Sequence, residues 1–268
     1  MKKTKDGKER AKDSSSLLKR IAYPLVTLAL IIIGFQIGIQ AYKIPQIILP
    51  TPTDSFRSLF AYGGLLVGQS LLTLESVVGG FLIGAIFGIT LAILMFYVQA
   101  IRDAIYPLLV AFQVIPRIAL APLFLIWFGF GLEYKIMITF FVAFFPVIVS
   151  SVGGFMAVEP EELDLFRSLN ASSAVSFRKL LLPTALPEIF GGLKVSITLA
   201  MVGAIVAEFV AGNKGVGYLI IVANQTLNTP LIFAGLIVIG VMGLGLYAII
   251  EVAERLALPW FYLERKRK

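Results

Sequence analysis

The chain has 268 residues, of which 58% are hydrophobic and only 15% charged, with a net charge of +7. Soluble domains carry about a quarter charged residues, so an ordinary soluble fold is excluded. The lack of any Cys or His excludes disulfides, thiolate or imidazole metal centres and histidine proton relays, and the lack of a G-x-x-x-x-G-K-[ST] stretch excludes ATP binding through a P-loop.

In chain order, residues 1–20 form a basic stretch with Lys2, Lys3, Lys5, Lys8, Arg10, Lys12, Lys19 and Arg20. A charge-free run at 21–42 follows. The pair resembles a signal peptide, but the apolar run is too long and no small-x-small cleavage site follows, so a retained first helix is expected. A bilayer core needs roughly 20 apolar residues per helix. On that scale six spans are predicted, near 21–40, 73–98, 104–128, 136–157, 187–210 and 231–254. The apolar run before Glu75 is too long for one span, which predicts an interfacial helix near 55–70. Residues 216–227 read as a short external or re-entrant segment. The fold class is thus an all-α integral membrane protein, because lipid offers an open backbone no hydrogen-bond partners.

Gly79, Gly80, Gly84 and Gly88 give the second span small-x-x-x-small spacings, which let helices approach closely. Orientation follows from Lys and Arg. The basic N-terminus, Arg102, Arg167, Arg178, Lys179 and the C-terminal stretch 261–268 fall on one side, and only Lys43, Arg57, Lys135 and Lys214 on the other. Both termini, with residues 1–20 and 261–268 as basic tails, are expected in the cytoplasm around a single transmembrane domain at 21–260.

Ionisable groups inside a membrane are costly and are candidates for function. Arg117 follows Pro116 in the middle of the third span, where a proline frees backbone carbonyls. This pair is either part of a substrate pathway or an internally satisfied break. Glu208, near the outer end of the fifth span, is a candidate for the pathway or for a structural pair with a cation. Lys194 is expected to snorkel outward. The glycine-rich turn with Asn213, Lys214 and Gly215 reads as an external loop rather than a nucleotide loop, since no strand precedes it.

The longest polar interruption between spans is 159–183, EPEELDLFRSLNASSAVSFRKLLLP. Pro160 suits a first helical position, and Glu161, Glu162 and Asp164 place negative charge at a helix N-terminus. Leu163, Phe166 and Leu169 form an apolar stripe. Asn170 tolerates the left-handed conformation that ends a helix. Ser172 or Ser173 caps a second helix, which Pro183 is expected to break. The stripe either packs beneath the protein's own helices or docks in a groove on a soluble partner.

Three stretches carry a resemblance. R-S-L-N-A-S, a basic patch and then L-L-L-P-T-A-L-P is similar to the cytoplasmic "EAA" loop of ABC-importer permeases. Asp164, Leu165 and Phe166 fall at the E-A-A positions, Asn170 at the glycine, and Leu182 and Pro183 at the closing L-P. PRIALAPLFLIWFG at 116–129 and VAEFVAGNKGVGYL at 206–219 resemble stretches of the nitrate/sulfonate/taurine branch of that family. Leu165, Phe166 and Asn170 depart from its small residues, which implies a docking helix fitted to its own partner.

The resemblance covers residues 20–260 and implies a type I importer permease fold with a cytoplasmic coupling-helix segment. It implies a cytoplasmic ATP-binding subunit docked on Leu163, Asp164, Leu165, Phe166, Arg167, Ser168, Leu169, Asn170 and Pro183. It further implies an extracytoplasmic substrate-binding protein, with Asn213, Lys214 and Gly215 as candidate contacts, and a second permease copy, expected as a homodimer. Pro116, Arg117 and Glu208 are candidate pathway residues. No cofactor, metal, nucleic acid or covalent chemistry is expected of this chain, with ATP hydrolysis on the partner. The substrate is a small solute of the nitrate/sulfonate/taurine kind or the thiamine-pyrimidine/riboflavin kind. The alternative is an ion-coupled secondary transporter without an ATPase.

Overall fold

The computed structural model describes the backbone of residues 3–261 and, from residue 22 onward, their side chains apart from that of Gln113. Met1, Lys2 and residues 262–268, including Tyr262 and the basic residues of the expected C-terminal tail, lie outside the described residues. The described chain is mostly helical and contains no strand. It divides into two compact units, one made of residues up to Gly63 together with Ala223–Ala234, the other of Gly64–Val222 with the chain from Gly235 onward.

In the first unit, α1 (Lys3–Ala41) begins inside the stretch expected to be a tail, and its apolar part is Ala22–Ala41. It ends in a 6→1 and 5→2 hydrogen-bond pair, from Ile44 N–H to the Ile39 carbonyl and from Lys43 N–H to the Gln40 carbonyl. Lys43 takes the left-handed position (φ 50°) which that ending requires. The expected interfacial helix is α2 (Pro52–Ala61), three residues earlier than predicted at its start and ending well short of residue 70. It starts there because Thr51 and Asp54 form a capping box with Pro52 in the first turn.

The second unit is built on three long apolar helices, α3 (Gly63–Tyr97), α6 (Leu132–Met156) and α9 (Leu182–Ala211). Between α3 and α6 lie α4 (Gln99–Val114), a 3-10 turn at Arg117–Leu120 and α5 (Ala121–Phe128). α3 starts ten residues before the predicted span, since Gly63, Gly64 and Gly68 continue the helix instead of interrupting it. At about 1.5 Å per residue, its 35 residues run about 52 Å, more than the hydrocarbon thickness of about 30 Å.

Gly80, Gly84 and Gly88 do allow close approach. A β-carbon on Gly80 would lie 2.5 Å from the Thr139 side chain, and one on Gly88 3.1 Å from Val147. Gly154, Gly192 and Gly203 play the same part between α6 and α9, where Ser196 Oγ also donates to the Ala143 carbonyl at 2.7 Å. In a membrane such contacts, and not solvent exclusion, bring helices together. α6 is the most enclosed of the candidate spans; Phe144 and Phe145 are core residues, Phe140 stacks on Phe144, and Phe141 meets Phe145 edge-on.

α10 (Val216–Gln225) and α11 (Thr229–Ala257) cross from one unit to the other in sequence. The short α10 coincides in length and position with the segment expected to be external or re-entrant. Like α1, it ends in a 6→1 and 5→2 pair, with Leu227 left-handed at φ 53°. Five described helices are long and apolar enough to cross a membrane, and the bent α4–α5 pair makes a sixth. Lys194 on α9 does not snorkel to water: its ammonium donates to Glu254 on α11, and both side chains are largely buried. Pairing is the cheaper solution here, since an uncompensated buried charge is costly.

Candidate functional site

The 159–183 segment forms two helices as predicted, with one difference at its end. α7 (Pro160–Ser168) begins with Pro160 in its first turn and Glu161 and Glu162 beside its N-terminus. It ends in a Schellman motif, with Ala171 N–H donating to the Phe166 carbonyl and Asn170 N–H to the Arg167 carbonyl. Asn170 sits at the left-handed position of that motif (φ 50°). Ser172 caps α8 (Ser173–Ser176) by accepting from the Val175 N–H at 3.4 Å. The helix then continues through a π-helical turn at Phe177–Leu181 directly into α9. Pro183 therefore does not break it. The Leu182 N–H reaches back five residues to the Phe177 carbonyl, and this widened turn comes just before the proline ring, whose N–H is missing from the ladder.

The apolar stripe of α7 is divided. Leu163 and Phe166 are half-buried and pack on the core formed by α3, α6 and α9, near Phe155 and Phe177. Leu165 and Leu169 face away, 57% and 70% exposed, and Leu169 is thus not part of the packed stripe. Asp164 and Arg167 pair at 3.0 Å on the exposed surface, and Ser168 Oγ donates to the Leu165 carbonyl. The stripe packs beneath the protein's own helices at Leu163 and Phe166 and leaves Leu169 exposed, beside Leu165. A cavity of about 430 Å³ later in the segment is lined by Ala174, Val175, Arg178 and Lys179.

The third predicted span is broken where Pro116 stands. α4 and the Arg117–Phe128 stretch meet at 91°, with Pro116 opening the 3-10 turn. The Arg117 guanidinium lies 4.4 Å from the centre of the Phe145 ring, a cation–π contact that shelters a charge without a carboxylate.

Glu208 lies in a different environment, 1% exposed near the end of α9. Its carboxylate accepts from Thr73 Oγ1 of α3 at 2.9 and 3.1 Å and from the Gly217 N–H at 2.8 Å. The ammonium of Lys135 on α6 stands 3.6 Å away. Thr73 Oγ1 in turn accepts from the Val216 N–H at 2.9 Å. The first turn of α10 is therefore capped by side chains from α3 and α9 rather than by its own preceding residue. A carboxylate at that position suits the partial positive charge of a helix N-terminus.

The glycines of the turn fit around this carboxylate. Gly215 has φ +111°, and a β-carbon there would stand 1.9 Å from Glu208 Oε1; on Gly217 it would stand 2.9 Å from the Glu208 β-carbon. Of the three expected external contacts, Asn213 and Lys214 are exposed, whereas Gly215 is buried beneath Glu208. The partner of Glu208 was visible in the sequence only as some cation; Lys135 lies 73 positions away, and nothing in local spacing singles it out.

The family described as binding-protein-dependent transport system inner membrane component matches residues 80–260, more than half of the chain. The chain is 34% identical over 250 residues to the riboflavin transport system permease protein RibX of Chloroflexus aurantiacus, covering 91% of this chain and 93% of that protein. It is 31% identical over 238 residues to the formylaminopyrimidine transport permease protein ThiX of Halalkalibacterium halodurans, covering 88% and 95%. Its fold is similar to a chain in the solved inward-facing MetNI methionine ABC transporter, with a TM-score of 0.64, 17% identity and coverage of 73% and 97%. Buried small-residue helix packing, a polar helical segment with an outward apolar face and three motifs in order all agree with this match: the chain belongs to the binding-protein-dependent ABC-importer permeases, as a transmembrane permease subunit of the nitrate/sulfonate/taurine-type branch.

Proposed function

We propose that α7 is the coupling helix of this permease and that its outward face, Leu165 and Leu169 with the Asp164–Arg167 pair, seats in a groove of a cytoplasmic ATP-binding subunit. The observation that carries this reading is the pair of exposed leucines one helical turn apart, on a helix whose other apolar residues are already packed. A helix offering two anchors at i and i+4 is the form in which an amphipathic helix enters a groove. Leu163 and Phe166 hold α7 against the bundle, so motion of the docked helix is passed to α6 and α9. Ser168, Asn170 and Pro183 shape the segment rather than touch the partner.

ATP is hydrolysed on the partner. ATP-driven closure of two such subunits rocks two permease copies between inward- and outward-facing states, and differential stability of those states is this chain's contribution. The excess of Lys and Arg on one side supports cytoplasmic termini in a multi-pass cell-membrane protein. Asn213 and Lys214 meet the extracytoplasmic binding protein. Pro116 and Arg117 belong to the pathway, where the bent helix places a sheltered cation. The solute is of the riboflavin or thiamine-pyrimidine kind, a reading supported by the names of RibX and ThiX.

The docking claim is tested with the Leu165→Asp/Leu169→Asp double variant. The permease should retain its yield and melting temperature while the ATPase no longer co-purifies and ATP-dependent uptake falls at least tenfold. Undiminished co-purification and uptake would sink it.

A further inference from the structure

The turn at 212–217 is held through the backbone of Gly212, Lys214, Gly215, Val216 and Gly217. Gly212 N–H donates to the Glu208 carbonyl at 3.0 Å. The Lys214 carbonyl accepts from the Lys135 ammonium at 2.6 Å, Gly215 N–H donates to Gln69 Oε1 at 2.6 Å, and Val216 and Gly217 N–H groups are taken by Thr73 and Glu208. Those partners come from α3, α6 and α9, the three helices of the core. Only the Asn213 and Lys214 side chains stand free of this arrangement, both exposed. Displacing the tip of this connection requires these hydrogen bonds to break or the helices that supply them to move.

A buried ion pair is by itself a poor stabiliser compared with good apolar packing, but an apolar side chain at 208 would leave the Gly217 N–H without its acceptor. What a carboxylate adds is direction. It fixes one register of the turn on three helices, and the glycines whose β-carbons would collide with it leave no room for another. Its burial also argues against contact with a moving solute. We propose that Glu208, with Lys135 and Thr73, is a positioning residue. It joins the 212–217 turn and the first turn of α10 to α3, α6 and α9 as one rigid piece, so that a load applied at Asn213 and Lys214 by the external binding protein reaches the helices undamped. The load-bearing partner in this statement rests on the importer reading above; the rigidity of the turn does not.

The two parts are tested separately. Because the chain has no cysteine, an Asn213→Cys variant carries one spin label and reports the order of the turn in the full-length permease. Glu208→Gln and Thr73→Val should each change the label from restricted to mobile. In unlabelled full transporter in liposomes, the same two substitutions should lower the ratio of ATP hydrolysis with loaded binding protein to hydrolysis without it at least fivefold. Lys135→Arg, which keeps the cation, should restore most of a loss produced by Lys135→Met. A label that stays restricted in both variants overturns the positioning role. A label that becomes mobile while the ratio is unchanged, or while both rates fall in parallel, overturns the relay. If Glu208→Gln does not fold, Thr73→Val decides, since it leaves the charge pair in place. A chain that binds no ATPase at all would refute the importer reading while the label result still stands.

Discussion

The turn at 212–217 and the segment at 159–183 are both short polar connections between apolar helices, and they are built in opposite ways. In the turn, a carboxylate with 1% exposure gathers partners from α3, α6 and the start of α10, and the Gly215, Val216 and Gly217 N–H groups are bonded to side chains. In the segment, the charged residues Glu161, Glu162, Asp164 and Arg167 are all exposed, and the apolar residues divide between an inner and an outer face. The first is closed around its own chemistry. The second leaves an apolar face open, which the proposed docking would cover. On the proposed reading, the contrast separates what holds the permease together from what would connect it to other subunits.

Removing Glu208 should break the contrast from its closed side and give the largest effect. Glu208→Leu leaves the Lys135 ammonium buried without its counter-charge and strands the Gly217 N–H. Breaking one side of a buried pair costs about 3–5 kcal/mol, a large part of the total stability of a domain. A sharp fall in yield and in the detergent melting temperature is expected. Glu208→Leu combined with Lys135→Met should recover part of that loss, because the orphaned charge goes too. A single variant as stable as the parent would show that the carboxylate is not closed in as described.

Phe166→Asp probes the inner face of the segment, with a smaller expected loss of about 2–4 kcal/mol from lost packing and a half-buried charge. It should lower the melting temperature of the permease alone, before any ATPase is added. The outer-face double variant at Leu165 and Leu169 should leave that temperature unchanged. If the two faces respond alike in the isolated permease, the division of the stripe is wrong.

That division shows where sequence reading stops. Pro160, Asn170 and Ser172 were legible because each acts within its own turn of helix: a first-turn proline, a left-handed terminator and a side-chain cap all need only neighbouring backbone. The spans were legible from hydropathy, and the break at Pro116 from the chemistry of proline. Periodicity gave α7 an apolar face and left open what lies opposite each residue of it; Leu163 and Phe166 meet the core and Leu169 does not, which depends on where α6 and α9 stand. Pro183 misled for a related reason. The rule that proline stops a helix holds for an α-helical ladder, and the π-helical turn before it is a local change in pitch that no residue in FRKLL announces. The glycines at 212, 215 and 217 were read as a loop, whereas their spacing answers to Glu208.

The smallest effect tests the one departure from the family pattern that the structure explains by itself. Asn170 occupies the glycine position of the motif and adopts φ 50° at the end of α7. Asn reaches that conformation at little cost, and glycine at none. Asn170→Gly should therefore leave the melting temperature within the shift expected for ~0.5 kcal/mol and keep ATPase co-purification. Asn170→Val, with a branched β-carbon in a left-handed position, should cost about 1–2 kcal/mol and fray α7. Because α7 presents Leu165 and Leu169 from a helix only nine residues long, fraying its end should loosen the outer face before the inner one. The expected signature is a weakened ATPase association at a temperature where the permease itself is still folded. Equal behaviour of the Gly and Val variants would mean that the Schellman ending does not hold the docking face in shape.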